Sequence, residues 1–220
     1  MDFVYSIVEF FASGGAFMYP ILLVFAVGLA IAVERFITLN RVTGRNESSW
    51  RGIQPLLSEG DFDSARDLSE KDESPMGRLL SMGLALQGAV RRREDVEIVM
   101  EEGMMEIVPQ LEKRTPYIAL ASSIATLLGL LGTIMGLISA FTAVANANPA
   151  EKADLLSASI SVAMNTTAFG LMAAIPLLVV HAFLASKTNE IVDGMEMASV
   201  KVLTAISTRA RRQAALQQAA

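Results

Sequence analysis

Three long stretches of this chain carry no charged side chain. The first occupies residues 16–33 and ends at Glu34 and Arg35. The second lies between Arg114 and Glu151, and the third between Asp154 and Lys187. A bilayer hydrocarbon core about 30 Å thick needs roughly 20 apolar residues of helix. Each stretch therefore predicts a transmembrane helix. Separate β-spans are excluded, because lipid offers no partner to free backbone N–H and C=O groups. The last two stretches each exceed 30 residues. As helix they would run about 45 Å or more, so they tilt or project beyond the bilayer.

The pattern divides the chain into seven segments. Residues 1–14 are an apolar and aromatic segment with acids at Asp2 and Glu9, which predicts an amphipathic helix on the outer interface. Residues 15–38 form the first span, 39–114 a cytoplasmic helical segment, and 115–145 the second span. A short periplasmic loop at 146–154 joins this to the third span at 155–186. A helix-prone cytoplasmic tail fills 187–220. Within 39–114, an apolar face at 50–58 predicts a short helix, Glu59-Gly60-Asp61 a turn, and Ala65 and Leu68 a second short helix. After a break at 71–75, one long helix is predicted from Met76 onward. Pro109 and Pro116 kink this helix without ending it, so that it runs into the second span. The fold class is thus an all-α integral membrane protein. It has three transmembrane helices, the second and third long and extending into the cytoplasm, with a helical cytoplasmic segment.

Composition agrees: 52% of the 220 residues are hydrophobic. The absence of cysteine removes disulfides and thiolate metal sites, and a single histidine, His181, removes any site that needs two. Basic residues set the orientation. None precedes the first span, and the 146–154 loop has only Lys152. Eleven lie in residues 41–114 and five from Lys187 onward. The positive-inside rule then places the N-terminus outside and the tail in the cytoplasm of a bacterial inner membrane. The start lacks the basic region of a signal peptide and reads as retained. Arg91, Arg92 and Arg93 are followed at once by Glu94, Asp95 and Glu97. They read as a solvated helix face rather than a nucleic-acid site.

Small and polar residues stand out within the spans. Gly129, Gly132 and Gly136 stripe one face of the second span, and Gly170 with Ala173 and Ala174 does the same in the third. Such residues let helices approach closely. Ser122, Ser123, Thr126, Thr133 and Ser139 lie in the second span, and Ser161, Asn165, Thr166 and Thr167 in the third. Polar side chains at this depth face protein or water rather than lipid. Thr126, Thr133, Ser161, Asn165, Thr166 and Thr167 are predicted to line a polar lumen. The competing reading is that the hydroxyls only bond carbonyls of their own helices. No carboxylate lies inside the three uncharged stretches, so a proton relay would need its titrating group from another subunit. No catalytic residue, cofactor site or metal site is predicted, and an enzyme is not expected.

The stretch LLGLLGTIMG at 127–136 resembles the second-span motif of the MotA/TolQ/ExbB family, and TAFGLMAAIP at 167–176 resembles its third-span motif, ending at Pro176. YPIL at 19–22 with Glu34 and Arg35 is similar to its first span, and SEGDFDSARDL at 58–68 to its cytoplasmic segment. The length and three spans are closest to ExbB and TolQ subunits. The resemblance implies a homopentamer around a central pore that holds a dimer of a single-span ExbD/TolR-like partner, whose Asp binds and releases the ion. It implies work delivered to the periplasm or outer membrane, as in TonB-dependent import, with a TonB/TolA-like protein and membrane lipids as further partners. By motif position, Thr133 and Thr167 match the family's pore-facing threonines. The chain departs from ExbB-type proteins at Val162, where a Glu is frequent, and at Thr126, where a Pro is frequent. The transported ion is therefore left open between H+ and Na+.

Overall fold

The computed structural model describes residues 10–11, 14–86 and 93–219. The predicted interfacial helix before Gly14 lies outside them, apart from Phe10 and Phe11. So does the arginine run, apart from the backbone of Arg93. The described residues form helices and no strand. They are α1 (Met18–Glu59), α2 (Phe62–Glu70), α3 (Pro75–Ala85), α4 (Arg93–Glu112), α5 (Thr115–Asn146) and α6 (Lys152–Ala219). Three helical stretches are long and apolar enough to cross a membrane. The chain forms two compact units, Met1–Arg35 with Arg114–Leu184, and Phe36–Lys113 with Ala185–Ala220.

In the first unit many small residues are buried beside a few large ones, among them Met18, Ile118, Leu177 and Leu184. Ile21, Ala125, Ala173 and Ala174 form a buried cluster, and Ala121, Ser122, Ala140 and Ala163 are buried along the same helices. Leu22, Leu23, Val27, Leu127, Leu130, Leu178 and Val179 point outward. Small residues bring the backbones together, and bulky ones face an apolar surround. At one end of the unit Arg35 is only 4% exposed. Its Nε donates to Thr115 Oγ1 at 3.3 Å, while Arg114 pairs with Glu34 at 3.4 Å.

The second unit packs the later part of α1 with α2, α3, α4 and the later part of α6. Leu39, Ile53, Leu79, Leu80, Leu84, Met100 and Met195 are fully or almost fully buried. Helix starts are capped by side chains. Asp61 accepts the Ser64 N–H at 3.1 Å, and the Ser64 hydrogen bonds hold its carboxyl below the usual range. Ser74 Oγ accepts the Gly77 N–H at 3.0 Å, with Pro75 opening the helix behind it. Asn46 on α1 accepts the Met76 N–H at 3.1 Å. This bond ties the start of α3 to α1.

The element boundaries correct three expectations. Residues 50–58 are not a separate helix but the end of α1, which continues through Pro55. The turn at Gly60 was anticipated, and its φ of +81° suits glycine. The single long helix expected from Met76 is two helices, α3 and α4, with residues 87–92 outside the described set. Nor does α4 run into the second span: the chain breaks at Arg114, whose φ is +69°. Proline explains that break. An unbroken helix would press the Pro116 ring against the Glu112 carbonyl. A restart at Thr115 puts Pro116 in the first turn, where no N–H is needed. Pro109 stays inside α4, and Pro176 inside α6.

Candidate functional site

The candidate site grows from a place where two helices touch backbone to backbone. A Cβ on Gly170 would lie 2.9 Å from both Gly129 Cα and the Ala125 carbonyl oxygen. A Cβ on Gly129 would lie 3.2 Å from Gly170 Cα. Glycine is required at both positions because no side chain fits between α5 and α6. The stripe continues through Gly132, where a Cβ would strike the Thr166 methyl, and Gly136, 2.7 Å from Ala163 Cβ. Ser122 reinforces the crossing, donating to the Ala174 carbonyl at 2.8 Å.

This approach brings Thr133 on α5 and Thr167 on α6 together, their hydroxyl oxygens 2.7 Å apart. Both also reach one acceptor, the Gly129 carbonyl, Thr167 at 2.9 Å and Thr133 at 3.2 Å. Each hydroxyl owns one proton and two lone pairs. Three short oxygen contacts thus share two protons. At least one proton must lie between the two hydroxyls, since two bare oxygens at 2.7 Å would repel. The pair can rotate between arrangements and still offer an acceptor oxygen. It can receive a hydrogen bond from a protonated carboxyl or ligate a cation. It cannot store a proton, because neither hydroxyl titrates in the biological range.

Most of the other predicted lumen residues do not form one surface with this pair. Thr126 shares the flank of Thr133, is exposed, and donates to the Ser122 carbonyl of its own helix at 3.1 Å. Thr166 is only 2% exposed and donates to the carbonyls of Gly14, at 2.6 Å, and Val162, at 2.9 Å. It therefore straps the residues before α1 to α6 and lines nothing. Ser161 is exposed and Asn165 half-buried. One turn apart, they share a face of α6, but at about 100° per residue Asn165 and Thr167 point about 160° apart around the helix. The sequence reading treated Gly129 as packing only. Its carbonyl is also the shared acceptor, a role hinted at by Thr133 standing four residues later. Glu34 and Arg35 lie at the other junction described above, and Pro176 is an exposed ring within α6. Among the described residues no cluster of His, Cys, Asp or Glu suits a metal ion.

Gly170→Ala should lower the unfolding temperature of the purified protein, with an overpacking cost of about 1–3 kcal/mol. Gly194→Ala is the control, because a Cβ there meets nothing within 4 Å. Equal stability of the two variants in thermal unfolding would contradict the close crossing.

A profile of the MotA/TolQ/ExbB proton channel family matches residues 71–197. The chain is 26% identical over 200 residues to a biopolymer transport protein ExbB homolog of Methanothermobacter thermautotrophicus, covering 90% of this chain and 69% of that protein. It is 29% identical over 123 residues to the biopolymer transport protein ExbB of Aquifex aeolicus, covering 54% and 82%. It is 34% identical over 92 residues to the Tol-Pal system protein TolQ of Haemophilus influenzae, covering 42% and 40%.

Proposed function

Since the chain belongs to the MotA/TolQ/ExbB proton channel family, we propose that it is the pore-building subunit of an ion-driven motor in a bacterial inner membrane. In this reading five copies surround a dimer of a single-span, ExbD/TolR-like partner. The partner supplies the carboxylate that the spans of this chain lack, and the motor drives work in the periplasm or outer membrane, as in TonB-dependent import. The carrying observation is the Thr133–Thr167 pair over the Gly129 carbonyl, a polar cluster at the level of the spans with no acid of its own. A hydroxyl pair of this kind can accept a hydrogen bond from the protonated partner acid and donate one to it once it ionises. Half-buried hydroxyls beside a close-packed glycine crossing favour a moving polar contact next to a rigid support.

The alternative is a passive membrane scaffold whose polar residues only hold helices together, and it has its own support, since Thr167 and Ser122 do bond across helices. Thr133→Val separates the two. It removes the hydroxyl contact to Thr167 across the helices but leaves the Thr167 bond to the Gly129 carbonyl, so stability should fall by only about 0.6 kcal/mol, the mean for an interhelical hydrogen bond in a membrane. Gradient-driven activity in cells should fall at least about tenfold, with Thr133→Ser restoring it. Retained activity, or a complex that falls apart, would favour the scaffold.

The sodium reading rests on three oxygens converging near one point and on Val162 standing where a Glu is frequent. Proton coupling predicts loss of activity with a protonophore and none on sodium removal; sodium coupling predicts the reverse.

The orientation is open to direct labelling, because the chain has no native cysteine. With the N-terminus outside, Ala150→Cys in intact cells should react with an impermeant maleimide and Ser58→Cys should not. The opposite pattern would invert the topology.

A further inference from the structure

The second unit contains an open-sided cavity of about 710 Å³ between the end of α1, the start of α2 and the later part of α6. Its volume lies within the roughly 300–1,000 Å³ range of small-molecule sites. Two of its walls are aromatic, and each ring carries a cation. Lys201 Nζ sits 5.3 Å from the centre of the Trp50 ring. The Arg209 guanidinium sits 4.9 Å from the centre of the Phe62 ring. Among the described residues, neither cation lies within ion-pair distance of a carboxylate.

We propose that this cavity binds a soluble phosphate-chain anion, held between Lys201 and Arg209. The rings restrain both long side chains, so less freedom is lost when an anion arrives. The two residues stand eight apart on α6, about 12 Å along the helix. A chain of phosphates offers several charges within one small volume, enough to engage both cations at once. Arg209 provides a planar fork for phosphate oxygens, and Lys201 a point charge. Gln54, Ser58, Thr204 and Thr208 add neutral polar groups to the lining, and Glu59 adds one carboxylate against the two cations. The site is independent of the threonine pair and stands or falls apart from the proposed motor.

Trp50 is the only tryptophan in the chain, so its emission reports on this cavity directly. The full-length protein in nanodiscs is titrated with sodium tripolyphosphate, with ATP, and with sulfate at matched ionic strength. At least one of the two phosphate chains should change the emission saturably, with a half-point below about 1 mM, and sulfate should not. Saturation by ATP alone assigns a nucleotide, by tripolyphosphate alone a free polyphosphate, and by both the phosphate chain itself. Calorimetry, which does not depend on the Trp50 surroundings, should show Lys201→Gln/Arg209→Gln weakening binding at least about tenfold. The proposal is overturned if neither phosphate chain binds, if sulfate acts equally, or if the double variant binds as tightly as the parent. It is also overturned if the double variant breaks the oligomer, because these cations then hold subunits together.

Discussion

Backbone contact between α5 and α6 is the constraint on which the rest depends. Gly129 and Gly170 leave room for no side chain, and only that closeness lets a hydroxyl from α6 reach a carbonyl on α5. The same approach forces Thr133 and Thr167 to within 2.7 Å. In lipid there is no hydrophobic drive to bring helices together, so packing of small residues and interhelical hydrogen bonds must do it. The stripe Gly129, Gly132 and Gly136 supplies the packing, and Ser122 and Thr167 supply the bonds.

The polar cluster is incomplete by chemistry as well as by position. Two hydroxyl protons serve three oxygen contacts, and no group in the spans titrates as an acid. A site of this kind suits a guest that brings the charge, because the hydroxyls can turn to donate to a carboxylate or to accept from a carboxylic acid. The rigid crossing beside it keeps the geometry fixed while the guest changes state. Membership of the proton channel family fits that division of labour.

Much of this was legible in the sequence, for physical reasons. Long uncharged runs leave only helix as a spanning state, so three long apolar helices were legible. The helix expected at 115–145 is Thr115–Asn146, whereas those holding the other two expected spans run on to Glu59 and Ala219. Thr133 and Thr167 were singled out, and they are in contact. What escaped was directional. Periodicity marks a polar residue but not its partner, so Thr166 was assigned to a lumen although it bonds the Gly14 carbonyl from 152 positions away. The continuity of α1 was also missed. Gly44, Gly52 and Pro55 in the polar stretch after Arg35 read as breaks, yet the helix runs through all three. Proline misled in the other direction: Pro109 and Pro116 look alike in sequence, yet only the second coincides with a break.

The account rests on the threonine pair facing a guest helix. A high-resolution density map of the complete assembly in a lipid environment tests this most directly. It should show the hydroxyls of Thr133 and Thr167 turned toward a central passage that holds another polypeptide's span, with that span's acid at their level. Hydroxyls turned toward acyl chains, or a centre closed by leucine with no space for a guest, would contradict it.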